Sequence, residues 1–195
     1  SLYSTTLFSR DHQDSLQTTI HLDPSSLIVS DMRWNIGEAS VQLFSKGLEV
    51  NGFKIENEDQ YVTIDGLLHR EQEDGLRMVF YELDLSRFLN NKSEKLSFSG
   101  TINGNLMLRD YYRDPLLSSN LEIDDFVFND ARLGTFRINS LWNKELEALS
   151  VTTLLSDNGS NQLRGYGLFQ PKKQHLDFQF DVDSLNVGFL NPFLD

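Results

Sequence analysis

The chain has 195 residues, 39% of them hydrophobic and 24% charged, which suits one globular domain or two small ones sharing a sheet and excludes a disordered chain. A net charge of −12 speaks against nucleic acid and against anionic membrane surfaces, both of which are held by Lys and Arg. Without cysteine there are no disulfides, no thiol catalysis and no Cys-based zinc site, and no run of about 18 apolar residues offers a membrane-spanning helix.

In chain order, Ser1-Leu2-Tyr3 opens without a charged region followed by an apolar one, as expected of a mature or trimmed chain. Alternation of apolar and polar residues then predicts strands over Leu16 to Leu22, Val41 to Phe44, Leu48 to Ile55, Tyr61 to Leu67 and Leu76 to Phe80. The run Leu96, Phe98, Gly100, Ile102, Gly104, Leu106, Leu108 is long for one strand, and its glycines suggest a bend or bulge. Further strands are expected over Leu121 to Phe128, Leu133 to Ile138, Leu149 to Leu155, Leu163 to Phe169 and Leu176 to Asp183. Turn signals fall at Asn51-Gly52, Asn57-Glu58-Asp59, Glu73-Asp74-Gly75, Asn103-Gly104, Asp114-Pro115, Asn129-Asp130, Asp157-Asn158-Gly159 and Pro171-Lys172-Lys173. Ser86 to Asn90 and Val187 to Asn191 can each form a turn or two of helix, and Pro192 stops the second. Leu141 to Leu149 has helix formers, but Ser150-Val151-Thr152-Thr153 pulls the stretch toward strand. Roughly ten to twelve short strands imply an all-β antiparallel meander with little helix.

Two stretches resemble each other. Ile64-Asp65-Gly66-Leu67-Leu68, then Leu76 to Leu85, then Phe88-Leu89-Asn90 parallels Arg164 to Phe169, then Leu176 to Leu185, then Phe189-Leu190-Asn191. Gly66 and Gly167 are 101 apart while Leu76 and Leu176 are 100 apart, so one copy carries a one-residue shift. Residues 1–95 and 96–195 are therefore read as two β-repeat regions on one shared sheet, with further repeats expected beyond Asp195.

Leu121 to Phe128, Leu133-Gly134-Thr135-Phe136-Arg137-Ile138 and Leu141-Trp142-Asn143 resemble the repeat of translocation and assembly module (TamB-like, AsmA-like) proteins of the Bacteroidetes type, as do Leu163 to Phe169, Leu176 to Leu185 and Phe189 to Leu194. Phe98 to Leu106 with Pro115-Leu116-Leu117 fits the same glycine-punctuated rhythm, and the likeness runs over about residues 48–195. The resemblance implies a long curved meander folded as a trough (β-taco-like) with an apolar interior. It further implies a periplasmic segment of an inner-membrane-anchored protein of outer-membrane biogenesis, not an enzyme and without cofactors. Its partners would be phospholipid acyl chains or unfolded outer-membrane protein strands, with an Omp85-type barrel engaged through regions outside this fragment.

The physics of such a trough follows from the alternation. A sheet apolar on one side needs a cover, and no amphipathic helix here is long enough to supply one. A sixteen-carbon acyl chain would gain roughly 12 kcal/mol on burial, too sticky for a deep pocket but not for a uniform groove along which it slides. The expected groove-lining residues are Leu96, Phe98, Ile102, Leu106, Phe136, Ile138, Leu176, Phe178, Phe180 and Val182, which would otherwise form the closed core of a β-sandwich.

Other constellations carry little chemistry. His12, His21, His69 and His175 are scattered without metal-ligand spacing. Asp124-Asp125 and the pair Asp181 and Asp183 read as a solvated face, and Asp157-Asn158-Gly159-Ser160 and Asn57-Glu58-Asp59 as turns rather than calcium loops. No phosphate loop, nucleophile elbow or triad signature is present. Trp34, Trp142, Tyr111 and Tyr112 suit packing better than a sugar platform. An extracellular carbohydrate-binding module and a purely structural β-sandwich remain as alternatives.

Overall fold

The computed structural model describes residues 2–10, 15–29, 31–71, 75–89, 97–112 and 116–184. Among the described residues the chain forms β1 (Ser4–Arg10), β2 (Leu16–Leu22), β3 (Ser25–Val29), β4 (Met32–Ile36), β5 (Ala39–Phe44), β6 (Gly47–Asn57), β7 (Gln60–His69) and β8 (Gly75–Asp84). A five-residue helix, α1 (Leu85–Leu89), precedes β9 (Phe98–Arg109), β10 (Leu116–Phe128), β11 (Ala131–Asn143), β12 (Ala148–Asp157), β13 (Ser160–Gln170) and β14 (His175–Val182). The fold is the expected all-β antiparallel meander with almost no helix. Two compact units divide it, Ser1–Tyr81 with Asn105–Leu117 and Glu82–Gly104 with Ser118–Asp195.

In the first unit the hydrogen-bonded order is β1-β2-β5-β6-β7-β8, while β3 and β4 form a hairpin off this path and β4 pairs with β6. Side chains of directly opposed residues share a face. The row Ile20, Val41, Val50, Gly66, Leu76 runs across five strands, and Ile36, Ile55, Val62, Phe80 across four. The row Gln42, Glu49, Leu67 belongs to the opposite face. The best-buried side chains sit around the hairpin and its neighbours: Trp34, Ile36, Ala39, Val50 and Leu68 are all under 9% exposed.

In the second unit β10-β11-β12-β13-β14 run in sequence order. One face carries the rows Leu121, Ile138, Thr153, Gly165, Phe180 and Ile123, Phe136, Leu155, Leu163, Val182. The other carries Glu122, Arg137, Leu154, Arg164, Asp181 and Asn120, Asn139, Thr152, Tyr166, Gln179. Ile123, Leu133, Ala148 and Leu155 form the buried centre, and no polar or charged residue is buried among the described residues.

Asn51-Gly52 and Asn103-Gly104 correct the sequence reading of them as hairpin turns. Both lie inside strands, β6 and β9. The physical reason is shared chemistry: Gly52 has φ +68 and Gly104 φ +136, and a positive φ serves a mid-strand bulge as readily as a turn. β1, β3 and β4 were not expected, because their mixed polar and apolar residues do not alternate cleanly. The expected turns at Asn57, Asn129 and Asp157 join β6–β7, β10–β11 and β12–β13, and Ser86 to Asn90 overlaps α1. The expected helical turn at Val187 to Asn191 and the Asp114-Pro115 turn fall outside the described residues.

Candidate apolar binding face

The second unit gathers six of the ten sequence-predicted residues on one face. Phe136 and Ile138 lie on β11, and Leu176, Phe178, Phe180 and Val182 follow along β14, joined to them by the cross-strand rows through β12 and β13. The face becomes more open toward β14. Phe136, Ile138 and Phe178 are half-buried, whereas Phe180 is 55%, Val182 52% and Leu176 62% exposed. Phe98 and Ile102 are half-buried in the same unit, and Phe98 packs on Phe128 with ring centroids 5.1 Å apart. Leu106, also half-buried, belongs to the first unit, and Leu96 lies outside the described residues.

Sequence reasoning missed the residues that build the middle of this face. Leu149, Val151, Leu155, Leu163 and Phe169 point the same way, and their odd-numbered alternation was the available signal. The stranger feature is β13, whose Gly165 and Gly167 sit opposite Phe180 and Phe178. A Cβ on Gly167 would meet the Phe178 ring at 2.4 Å, and one on Gly165 the Phe180 ring at 2.9 Å. The two rings thus lie over the bare backbone and stack with each other at 5.8 Å. Aromatics laid across strand glycines cover a backbone that would otherwise be exposed. They also leave this part of the face low and aromatic. Phe126 and Phe136 form a second stacked pair at 5.3 Å.

The charges lie elsewhere. Glu122 pairs with Arg137 on the opposite face. Among the described residues, the three carboxyls with shifted titration sit at strand ends and turns. Glu71 and Glu147 are held below the usual carboxylate range by hydrogen bonds from Lys46 and Lys172. At Asp84 burial pushes upward, but hydrogen bonds from Ser86 and Arg87 outweigh it and the net direction is down. Of the aromatic residues weighed for a sugar platform, Trp34 is 2% exposed and packed inside the first unit, and Tyr111 and Tyr112 meet edge-on at 82° rather than side by side. No three His, Asp or Glu side chains converge as a metal site among the described residues.

Comparison of the chain with protein-family models, curated proteins and solved structures finds no match.

Proposed function

We propose that the chain is a periplasmic segment of an inner-membrane-anchored, TamB-like protein of outer-membrane biogenesis. Its apolar face serves phospholipid acyl chains passing between membranes, or strands of unfolded outer-membrane proteins awaiting assembly. The observation that carries this reading is the apolar face of the second unit, with Phe180, Val182 and Leu176 each more than half exposed while no charged residue shares their rows.

The physical case is one of graded contact. A monomeric soluble protein rarely exposes contiguous apolar surface unless something uses it. Side chains half in and half out of water gain by being covered, yet each gains little, so a flexible acyl chain is held by many weak contacts and moves between neighbouring positions at small net cost. The acidic composition keeps such a surface in solution.

A photocrosslinking amino acid at Phe178 tests the proposal in cells. Capture of phospholipid or of an outer-membrane barrel precursor is the expected result, and irradiation that yields neither overturns it. Native mass spectrometry of the purified chain should likewise retain lipid.

A further inference from the structure

The long strands contain places where the apolar alternation changes phase. In β6 the apolar residues are Leu48 and Val50, then Phe53 and Ile55; in β8 they are Leu76, Met78 and Phe80, then Leu83. A side-chain period of two cannot absorb such a step: without an extra residue, everything beyond it turns to the other side. In β6 the pairing moves from Val50 opposite Gly66 to Phe53 opposite Ile64, so Asn51 and Gly52 together face Asp65 alone. Because Gly66 and Ile64 are two apart, Val50 and Phe53 share a face despite the odd step between them.

Both steps are closed by the same parts. At the first, Gly52 has φ +68 and its backbone N–H donates to Asp65 Oδ1 at 2.7 Å. At the second, Glu82 has φ +51, its backbone N–H donates to Asn103 Oδ1 at 2.9 Å, and Asn103 Nδ2 donates back to Glu82 Oε1 at 3.2 Å. In each case the accepting residue is followed by a glycine with positive φ, Gly66 at +127 and Gly104 at +136. Each glycine lies so close to backbone that an added Cβ would stand 2.1 Å from a carbonyl oxygen, that of Gly75 or Asn120. A third place has similar parts: β10 passes from Ile123 to Phe126 with Asp125 at φ +47, and Gly100, after Ser99, has φ +138 with its Cβ direction aimed at Asp124.

We infer that the mid-strand Asx–Gly pairs, Asp65-Gly66 and Asn103-Gly104, are latches that hold one-residue irregularities at Gly52 and Glu82, the first of which keeps Val50 and Phe53 on one face where the sequence alternation changes phase. The Asx oxygen satisfies the amide that the bulge takes out of the ladder, and the glycine lets the neighbouring backbone approach. At Gly52 an Asn could serve as Asp65 does, because each presents an oxygen at the same atom, whereas at Glu82 the Asn103 amide also donates to a carboxylate, which an Asp could not do.

Two measurements on the full chain test it. In amide hydrogen exchange by NMR, Asp65→Ala should speed exchange at Gly52 more than tenfold, while Asp65→Asn keeps the protection; equal protection in all three proteins overturns the inference. Independently, the cysteine-free chain accepts a single Leu83→Cys probe at a position 7% exposed. Adding Asn103→Ala should raise its thiol labelling rate more than tenfold. An unchanged rate with Asn103→Ala overturns the inference even where Asp65→Ala proves too unstable to study.

Discussion

Phe180→Asp separates a half-open binding face from a sealed core. Folding leaves 55% of Phe180 exposed, so it buries less than half of that side chain. Complete burial of a phenylalanine contributes about 1.5–3 kcal/mol, and the lost fraction here is about 1 kcal/mol. For a chain of this size that lowers the melting temperature by about 2–4 °C. The aspartate at this position reaches water, so no large desolvation penalty is added to the fold. A bound acyl chain feels the change differently, because its methylenes would lie against a hydrated carboxylate in place of a ring. Thermal unfolding by circular dichroism and native mass spectrometry of co-purified lipid read the two effects separately. The expected outcome is a small shift in melting temperature with lipid retention reduced more than tenfold. A drop above about 10 °C, equivalent to several kcal/mol, would place Phe180 in a closed core and refute the half-open face. Full lipid retention in a folded variant would refute the ligand assignment.

The glycine track gives a second outcome: Gly167→Ala, whose Cβ would meet the Phe178 ring at 2.4 Å, should destabilise by about 1–3 kcal/mol, and adding Phe178→Ala should recover part of that loss in a double-mutant cycle by urea titration. Gly104→Ala combines φ +136 with a 2.1 Å approach to a carbonyl oxygen and should cost about 3 kcal/mol or more, whereas Gly37→Ala, with nothing within 4 Å, should stay within about 0.5 kcal/mol. Asp84 titrates below its ordinary 3.8 in the folded chain, so its stabilisation is present above that value and fades as pH falls through the lower folded value. Asp84→Asn should therefore lower the urea midpoint at neutral pH, and the difference from the parent protein should vanish in acid once the folded carboxyl is protonated.

The strands that were legible in advance are those with clean alternation. Leu163 to Phe169 and Leu176 to Asp183 lie almost wholly within β13 and β14, and Leu16 to Leu22 coincides with β2. The candidate face was partly legible for the same reason: the even-numbered Leu176, Phe178, Phe180 and Val182 must share a side once the stretch is a strand. What alternation left open was which other residues join them. Gly165 and Gly167 carry no hydrophobic signal, yet the two rings opposite them rest on those glycines. Packing of Trp34 is the reading its sequence favours over a sugar platform, and the β3–β4 hairpin with its pairing to β6 supplies the place where it is buried.

The sequence by itself determined the class of structure, because a period of two is a property of each strand alone and needs no partner. Only tertiary structure decided whether Asn51-Gly52 and Asn103-Gly104 turn the chain back or stay within a strand. Positive φ is all that the dipeptides specify, and a partner strand supplies the rest: Asp65 receives the Gly52 amide, and Asn103 receives the Glu82 amide next to Gly104. Register between strands fixes which face each apolar residue joins, and register is a property of two strands that neither encodes alone.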